Sequence, residues 1–208
     1  MRTEVPVKYL RRLLWYLVSR LLVLCLALGM MTIVFYYSMN ATNVYIVLKD
    51  GMARRAQVIM MGVDMTGGWD AAVTGDTTAP SSFSYYNASG LDRYFSVNYL
   101  ERDQQLTQAR SGQSAYQNYY SITGFDHRVN LDWFWCWPWE DTAQATITER
   151  IPAIDGKLKA SAREAAAAAG ISMSAPKWQT TQYSVLLSRE NNQWRIRNLT
   201  AIQVINEE

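Results

Sequence analysis

The sequence predicts an α+β protein in which an N-terminal transmembrane helix is followed by a curved antiparallel sheet packed with helices. Three observations support this fold class. Residues 21–39 carry no charge, and Leu, Val, Met, Ile, Phe and Tyr dominate them. The next segments repeat their apolar residues at helical spacing, and several later segments alternate with the period of two that is typical of strands. With 208 residues, the chain has room for one membrane segment and one ordinary domain.

The uncharged run predicts a membrane span at residues 21–43. Its 19 uncharged residues, at about 1.5 Å each, cover roughly 28 Å, close to the thickness of the hydrocarbon core. Trp15 near one end and Tyr36 and Tyr37 near the other are placed as interfacial aromatic residues, and Arg20 can extend to the headgroups. A cleaved signal peptide is the alternative, but the run is long for one and offers a poor cleavage site.

The distribution of charge predicts the orientation of this anchor. Residues 1–20 contain five basic residues and one acidic residue, a net charge of +4, whereas no charge follows the run until Lys49. The positive-inside rule then places residues 1–20 in the cytoplasm and residues 44–208 outside. Cys136 is the only cysteine of that outer part, so it has no internal disulfide, which favours a single-pass protein of the bacterial plasma membrane.

The outer part begins with helical patterns. Residues 44–62 predict an amphipathic helix that continues or closely follows the anchor and stops near Gly62. Residues 64–87 are rich in Gly, Thr, Ser and Ala and predict a flexible loop. A short helix is expected next, with Leu91, Tyr94 and Phe95 on one face.

The later segments predict strands. Four β-prone or alternating runs lie at Tyr116–Phe125, Thr142–Ile151, Trp178–Arg189 and Gln193–Ile205. A hairpin turn at residues 190–192 joins the last two, since asparagine tolerates a positive φ. The alanine-rich segment 157–170 predicts an inserted helix that ends at Gly170.

The helix beginning Leu91-Asp-Arg-Tyr-Phe-Ser and the closing hairpin Tyr183–Leu199 resemble the nuclear transport factor 2-like superfamily. The resemblance covers roughly residues 45–205 and implies a cone-shaped α+β domain with helices in the concave face of the sheet. The 64–87 loop and the inserted helix depart from the compact pattern of that superfamily. A single-pass anchor on such a domain is similar to the bitopic scaffold component of conjugation and type IV secretion machines. It is also similar to anchored accessory proteins of Gram-positive envelopes.

Asp126 and His127 are the candidate acid–base residues of this sequence. Several enzymes of the superfamily use an Asp–His pair inside the cone to move protons, and a histidine near its ordinary pKa can act as a general base. Neighbouring residues of a strand point to opposite faces, however, so the two are poorly placed to cooperate. Polar residues at a strand end are also common in solvated loops, and we expect no catalytic residue here.

The segment 133–139 is the most unusual stretch of the chain. Trp133, Trp135, Trp137 and Trp139 are spaced by two residues, which on a strand would place all four on one face. Such a stripe could pack the core, bind a partner, rest on the membrane interface or line a ligand pocket. Pro138 favours a strand edge or a hairpin tip.

Together these patterns predict a non-enzymatic, membrane-anchored scaffold or accessory module of a bacterial envelope assembly. We expect the lipid bilayer and other membrane or envelope proteins as partners, and leave self-association open. The part after residue 20 has a net charge of −2, so no direct nucleic-acid contact is predicted. One histidine and two cysteines predict no metal site, and no motif indicates a cofactor. A small-ligand-binding or enzymatic cone domain using Asp126 and His127 is the alternative.

Overall fold

The computed structural model describes residues 5–63, 82–137 and 139–205. Its α-helices are α1 (Val5–Met61), α2 (Ser82–Ser89), α3 (Val97–Leu100), α4 (Gln104–Arg110), α5 (Ala115–Tyr119) and α6 (Arg163–Ala168), with short 3₁₀ turns at Leu91–Arg93 and Ala160–Ala162. Its strands are β1 (Tyr120–Phe125), β2 (Arg128–Trp135), β3 (Thr142–Arg150), β4 (Ile154–Leu158), β5 (Thr180–Glu190) and β6 (Gln193–Ile205). The protein is therefore α+β, as predicted.

Helix α1 is a single helix of 57 residues with two different environments. Its N-terminal part is long and apolar enough to cross a membrane, and none of its most apolar stretch is buried by the described residues. From Asn40 onward, one face is covered by the domain, and Val44, Leu48 and Met52 follow at four-residue spacing with no exposed surface. Of the two arrangements that the sequence left open, the amphipathic helix continues the apolar run rather than following it after a break.

The end of α1 is fixed by local and tertiary contacts. Gly62 adopts φ +79°, and its N–H donates to the carbonyl of Val58 at 3.0 Å, which is a left-handed helix stop. The hydroxyl of Ser114 donates to the carbonyl of Ile59, and the amide of Gln117 donates to that of Val58. Residues 116–119, which the sequence predicts as strand, therefore belong to helix α5 beside the end of α1 instead.

The main sheet is antiparallel, with strand order β2-β3-β5-β6. Asn191 and Asn192 have φ of 50° and 64°, so the predicted β5–β6 hairpin turn is confirmed. Helix α1 packs on one face of this sheet, which we call the inner face. The core between them is formed by buried side chains of α1, the segment after α2 and the inner face, namely Val44, Leu48, Met52, Leu91, Phe95, Ala143, Ala145, Ile147, Val185, Leu187, Trp194 and Ile196.

A second, two-stranded antiparallel sheet pairs β1 with β4 near the end of α1. Its register joins Tyr120 to Leu158 and Phe125 to Ile154. Lys157 and Leu158 therefore belong to a strand, and the helix predicted at residues 157–170 is reduced to Arg163–Ala168 because pairing with β1 overrides local propensity. Residues 82–87 of the predicted 64–87 loop are helical, and residues 64–81 lie outside the described residues.

Candidate functional site

The four tryptophans of segment 133–139 are exposed. Their exposed fractions are 50% for Trp133, 45% for Trp135, 41% for Trp137 and 70% for Trp139. The last three rings touch in series, since Trp135 and Trp137 meet edge to face with centroids 5.2 Å apart, and Trp137 and Trp139 stack at 5.2 Å. We call these four residues the tryptophan cluster. Its exposure argues against the reading in which these rings fill the core.

A β-bulge decides which way the cluster faces. Leu131 pairs with Ile147, but Trp133 pairs with Thr146, so the register shifts by one residue between them. After the bulge, Phe134 packs against the core while Trp133 and Trp135 point to the opposite, outer face. Strand β2 ends at Trp135, so Trp137 and Trp139 lie in the β2–β3 loop. The expectation that all four share one strand face is wrong.

The cluster adjoins the point where α1 enters the domain. The hydroxyl of Tyr37 donates to the carbonyl of Phe134 at 3.1 Å, and the two rings lie 5.6 Å apart. Three residues further along α1, the amide of Asn40 reaches the sulfur of Cys136 at 4.0 Å and accepts from Arg189 at 2.9 Å. The end of β2 and the loop after it therefore lie at the level of residues 37–40, next to the apolar part of α1.

The outer face of β2 also has a defined direction relative to α1. Because the inner face of the sheet packs on α1, side chains on the outer face point away from the axis of that helix. If the apolar part of α1 crosses a membrane, Trp133 and Trp135 point sideways, roughly along the membrane plane.

The candidate catalytic residues Asp126 and His127 are not brought together. Asp126 is exposed and accepts from Arg128 at 2.6 and 3.0 Å. His127 points inward, where its Nε2 lies 2.9 Å from Oε1 of Glu149, and its side chain is only 6% exposed. Both residues lie in the connection between β1 and β2, and their side chains turn to different environments, so the two do not cooperate, as expected from the sequence. The solvated-loop reading of His127 is wrong, because its side chain is buried.

Glu149 is the residue that the sequence analysis missed. It has no exposed surface, and its second oxygen accepts from the indole N–H of Trp178 at 3.3 Å. The alternation along β3 could have predicted its burial, since Glu149 continues the inward series Ala143, Ala145 and Ile147. A carboxylate at such a position needs buried partners, and His127 and Trp178 supply them. Both oxygens are occupied, which makes this pair a structural element of the core.

A buried ion pair joins α1 to the start of α4. Nε of Arg55 donates to Oδ2 of Asp103 at 2.7 Å, and both side chains are about 95% buried. Asp103 also accepts from the hydroxyl of Tyr99 at 2.7 Å and from the backbone N–H groups of Gln105 and Leu106, so it caps α4. Burial opposes its ionisation, but Arg55 prevails and lowers the pKa of Asp103.

A cavity of about 500 Å³ opens beside this network. Its wall combines arginines with amides and phenols, among them Arg55, Tyr99, Arg102, Tyr183 and Arg197. Nη1 of Arg55 is buried without a hydrogen-bond partner among the described residues. His127 and Glu149 are not part of this wall, so the cavity gives no approach to them.

Comparison with known proteins gives no match to any family model, curated protein or solved structure. The resemblance to the nuclear transport factor 2-like superfamily therefore stays a prediction. Within residues 5–63, 82–137 and 139–205, no group of three or more His, Cys, Asp or Glu is placed to hold a metal ion.

Proposed function

We propose that this chain is a membrane-anchored, non-enzymatic scaffold or accessory module of a bacterial envelope assembly, with its N-terminus in the cytoplasm and its domain outside. Conjugation and type IV secretion machines are the candidate assemblies, through the resemblance of an anchored cone-shaped domain to their bitopic scaffold component. The tryptophan cluster forms part of its contact surface, and Trp133 and Trp135 contact another protein of the same membrane.

The observation that carries this proposal is the continuity of α1. The apolar part and the core-forming part belong to one helix without a break between Val5 and Met61. A continuous helix transmits orientation, whereas a flexible linker would leave the domain free to turn. The contacts at Tyr37 and Asn40 hold the domain against α1 where it enters the fold. Anchor and domain thus form one rigid body, which suits a part that positions others.

The tryptophan cluster suits contact with a protein in the plane of the membrane. Trp133 and Trp135 lie on the outer face of an edge strand and keep about half of their surface exposed. Tryptophan is enriched among residues that dominate protein interfaces, and losing one central contact can cost about 2 kcal/mol or more. Confinement to a membrane raises the effective concentration of partners, so a small contact surface suffices.

Crosslinking in intact cells tests the proposal. A photoreactive aromatic amino acid replaces Trp133 in the full chain, and a second variant carries it at Met173, which is 79% exposed. Met173 is a distant control. The carbonyl of neighbouring Ser172 accepts a hydrogen bond from Tyr120. Tyr120 directly follows α5, which lies beside the C-terminal end of α1, well away from Asn40. We expect discrete membrane-protein adducts from position 133 and none from position 173. Lipid adducts alone, or identical adducts from both positions, would overturn the assigned surface.

A small-ligand-binding domain is the second candidate function, and the cavity at Arg55 favours it. Three arginines and the single carboxylate of Asp103 face this space, and one guanidinium nitrogen of Arg55 lacks a partner. Such a wall suits a small carboxylate or phosphate, which arginine binds through paired N–H donors. Titration with inorganic phosphate at constant ionic strength tests this function, with Arg102→Gln and Arg197→Gln as wall variants and Arg93→Gln as an exposed control outside the wall. Equal response of all variants would exclude it.

A further inference from the structure

The part of the tryptophan cluster that lies in the β2–β3 loop differs from the part on the strand. Trp139 is the most exposed member of the cluster at 70%, and its ring stacks on Trp137. The loop is fixed by contacts to the helix and the sheet: Cys136 lies against Asn40, and the carbonyl of Asp141 accepts from the backbone N–H of Arg189 at 2.7 Å. These two rings are therefore presented by a held loop.

The position of that loop along α1 can be compared with the thickness of a bilayer. Trp15 and Tyr37 are 22 residues apart on one helix, which corresponds to about 33 Å at 1.5 Å per residue. A hydrocarbon core is about 30 Å thick, so the two aromatic residues mark its two boundaries. Phe134 and Cys136 contact α1 at Tyr37 and Asn40, which places the adjoining loop at the second boundary.

The chemistry of the loop suits this boundary. Tryptophan is enriched where membrane meets water, because its ring is largely apolar and its N–H keeps a polar partner. The neighbouring charges are acidic, Glu140 and Asp141, and Asp141 lies 3.9 Å from Arg189. Attraction to anionic lipids therefore contributes little, and apolar insertion of the rings is the main source of binding.

We infer that Trp137 and Trp139 insert into the headgroup–acyl boundary of the leaflet from which α1 emerges. This inference rests on the proposed membrane anchor. The loop gives the domain a second point of contact with the bilayer beside the helix. One point leaves the domain free to tilt relative to the membrane, whereas two points restrain that tilt. The outer face of β2 is then held at a constant angle to the membrane plane.

Fluorescence quenching by brominated lipid tests the inference on the full chain. The protein is placed in nanodiscs of phosphatidylcholine with or without bromine atoms at shallow acyl positions, and the quenched emission is compared among variants. The Trp137→Phe, Trp139→Phe double variant is expected to lose the part of the quenched emission that the domain contributes. Trp178→Phe is the matched control. It should lower the total emission but leave the quenched part unchanged, because Trp178 hydrogen-bonds Glu149 within the domain, out of reach of the bromine atoms.

Equal quenched emission in the wild type and the double variant, with unchanged melting temperature, would overturn the insertion. A Trp139→Ser variant gives a second reading, since a side chain with 70% exposure can be replaced without loss of the fold. It is expected to lose only the quenched emission that Trp139 contributes, and therefore less than the double variant. Failure of the anchor itself is distinguishable, because Trp15 would then also escape quenching in every variant. Failure of the scaffold proposal is distinguishable too, since it concerns adducts at Trp133.

Discussion

Each side of the main sheet carries some residues in places where their type is unusual. The outer end of β2 and its loop expose four tryptophans, whereas the inner side buries the ion pair of Arg55 with Asp103 and the hydrogen bond between His127 and Glu149. Large apolar residues normally lie inside and charged residues outside. The difference teaches that the polar groups on the inner side are held by hydrogen bonds within the domain, whereas the outer rings keep surface free for a contact outside the domain.

Replacing Arg55 with alanine should give the largest effect on the inner side. Asp103 would keep its burial and lose its cation, and breaking a buried pair by removing one partner costs about 3–5 kcal/mol. Urea unfolding of the full chain in detergent measures the change. Arg102→Ala is the matched control, because Arg102 is exposed beside the same cavity, and it should change the free energy of unfolding little. Similar losses in both variants would contradict the assigned role of the pair.

Replacing Glu149 with alanine should have the next largest effect. His127 and the indole N–H of Trp178 would both lose their acceptor inside the domain, and one unsatisfied buried polar group costs about 1–3 kcal/mol. The control is Asp126→Ala, which removes an exposed partner of Arg128 and should leave the unfolding curve unchanged. If Asp126→Ala destabilises as much as Glu149→Ala, the special structural role assigned to buried Glu149 is wrong.

Acid should weaken the inner network through Asp103. Its folded-state pKa lies below the ordinary value of 3.8, so the unfolded chain takes up this proton first as the pH falls. The stability that the carboxylate contributes is present above about pH 4 and declines as the pH falls toward the folded-state pKa. Unfolding curves between about pH 5 and about pH 3, the range in which unperturbed carboxyl groups titrate, measure the decline. In Asp103→Asn, which starts less stable, this part of the decline should be missing.

Replacing Trp133 with alanine should have the smallest effect on stability. An exposed residue outside the core changes the free energy of unfolding by about 0.5 kcal/mol or less. Trp194→Ala is the matched core variant, because Trp194 is 5% exposed, and it should cost about 3–5 kcal/mol. Thermal unfolding compares the two. A loss at Trp133 as large as that at Trp194 would mean that the tryptophan cluster supports the fold rather than a contact.

Much of the fold could be predicted because the local patterns are strong. Strands β3, β5 and β6 follow alternation that the structure reproduces within one or two residues, and the Asn191–Asn192 turn has the positive φ expected of it. The errors fall where a tertiary contact overrides propensity. Residues 116–119 form a helix that meets the end of α1, and Lys157 and Leu158 pair with β1.

The candidate site could be predicted in composition but not in arrangement. The sequence identified the four tryptophans, yet a bulge one residue before Trp133 and the end of β2 at Trp135 divided them between a strand face and a loop. It also identified His127, but not its partner. Glu149 lies 22 residues away along the chain, and a contact across a sheet depends on register, which no local pattern specifies.

The sequence by itself determined the apolar half of α1, the charge asymmetry around it and the α+β class, because each depends on composition or on a period of a few residues. Only the tertiary structure decided that α1 enters the core without a break, that the tryptophans stay outside, and that Arg55 and Glu149 find buried partners. These outcomes depend on which surfaces meet. A long helix packs wherever a sheet offers an apolar face, and a charged side chain can be buried only where distant residues bring its hydrogen-bond partners.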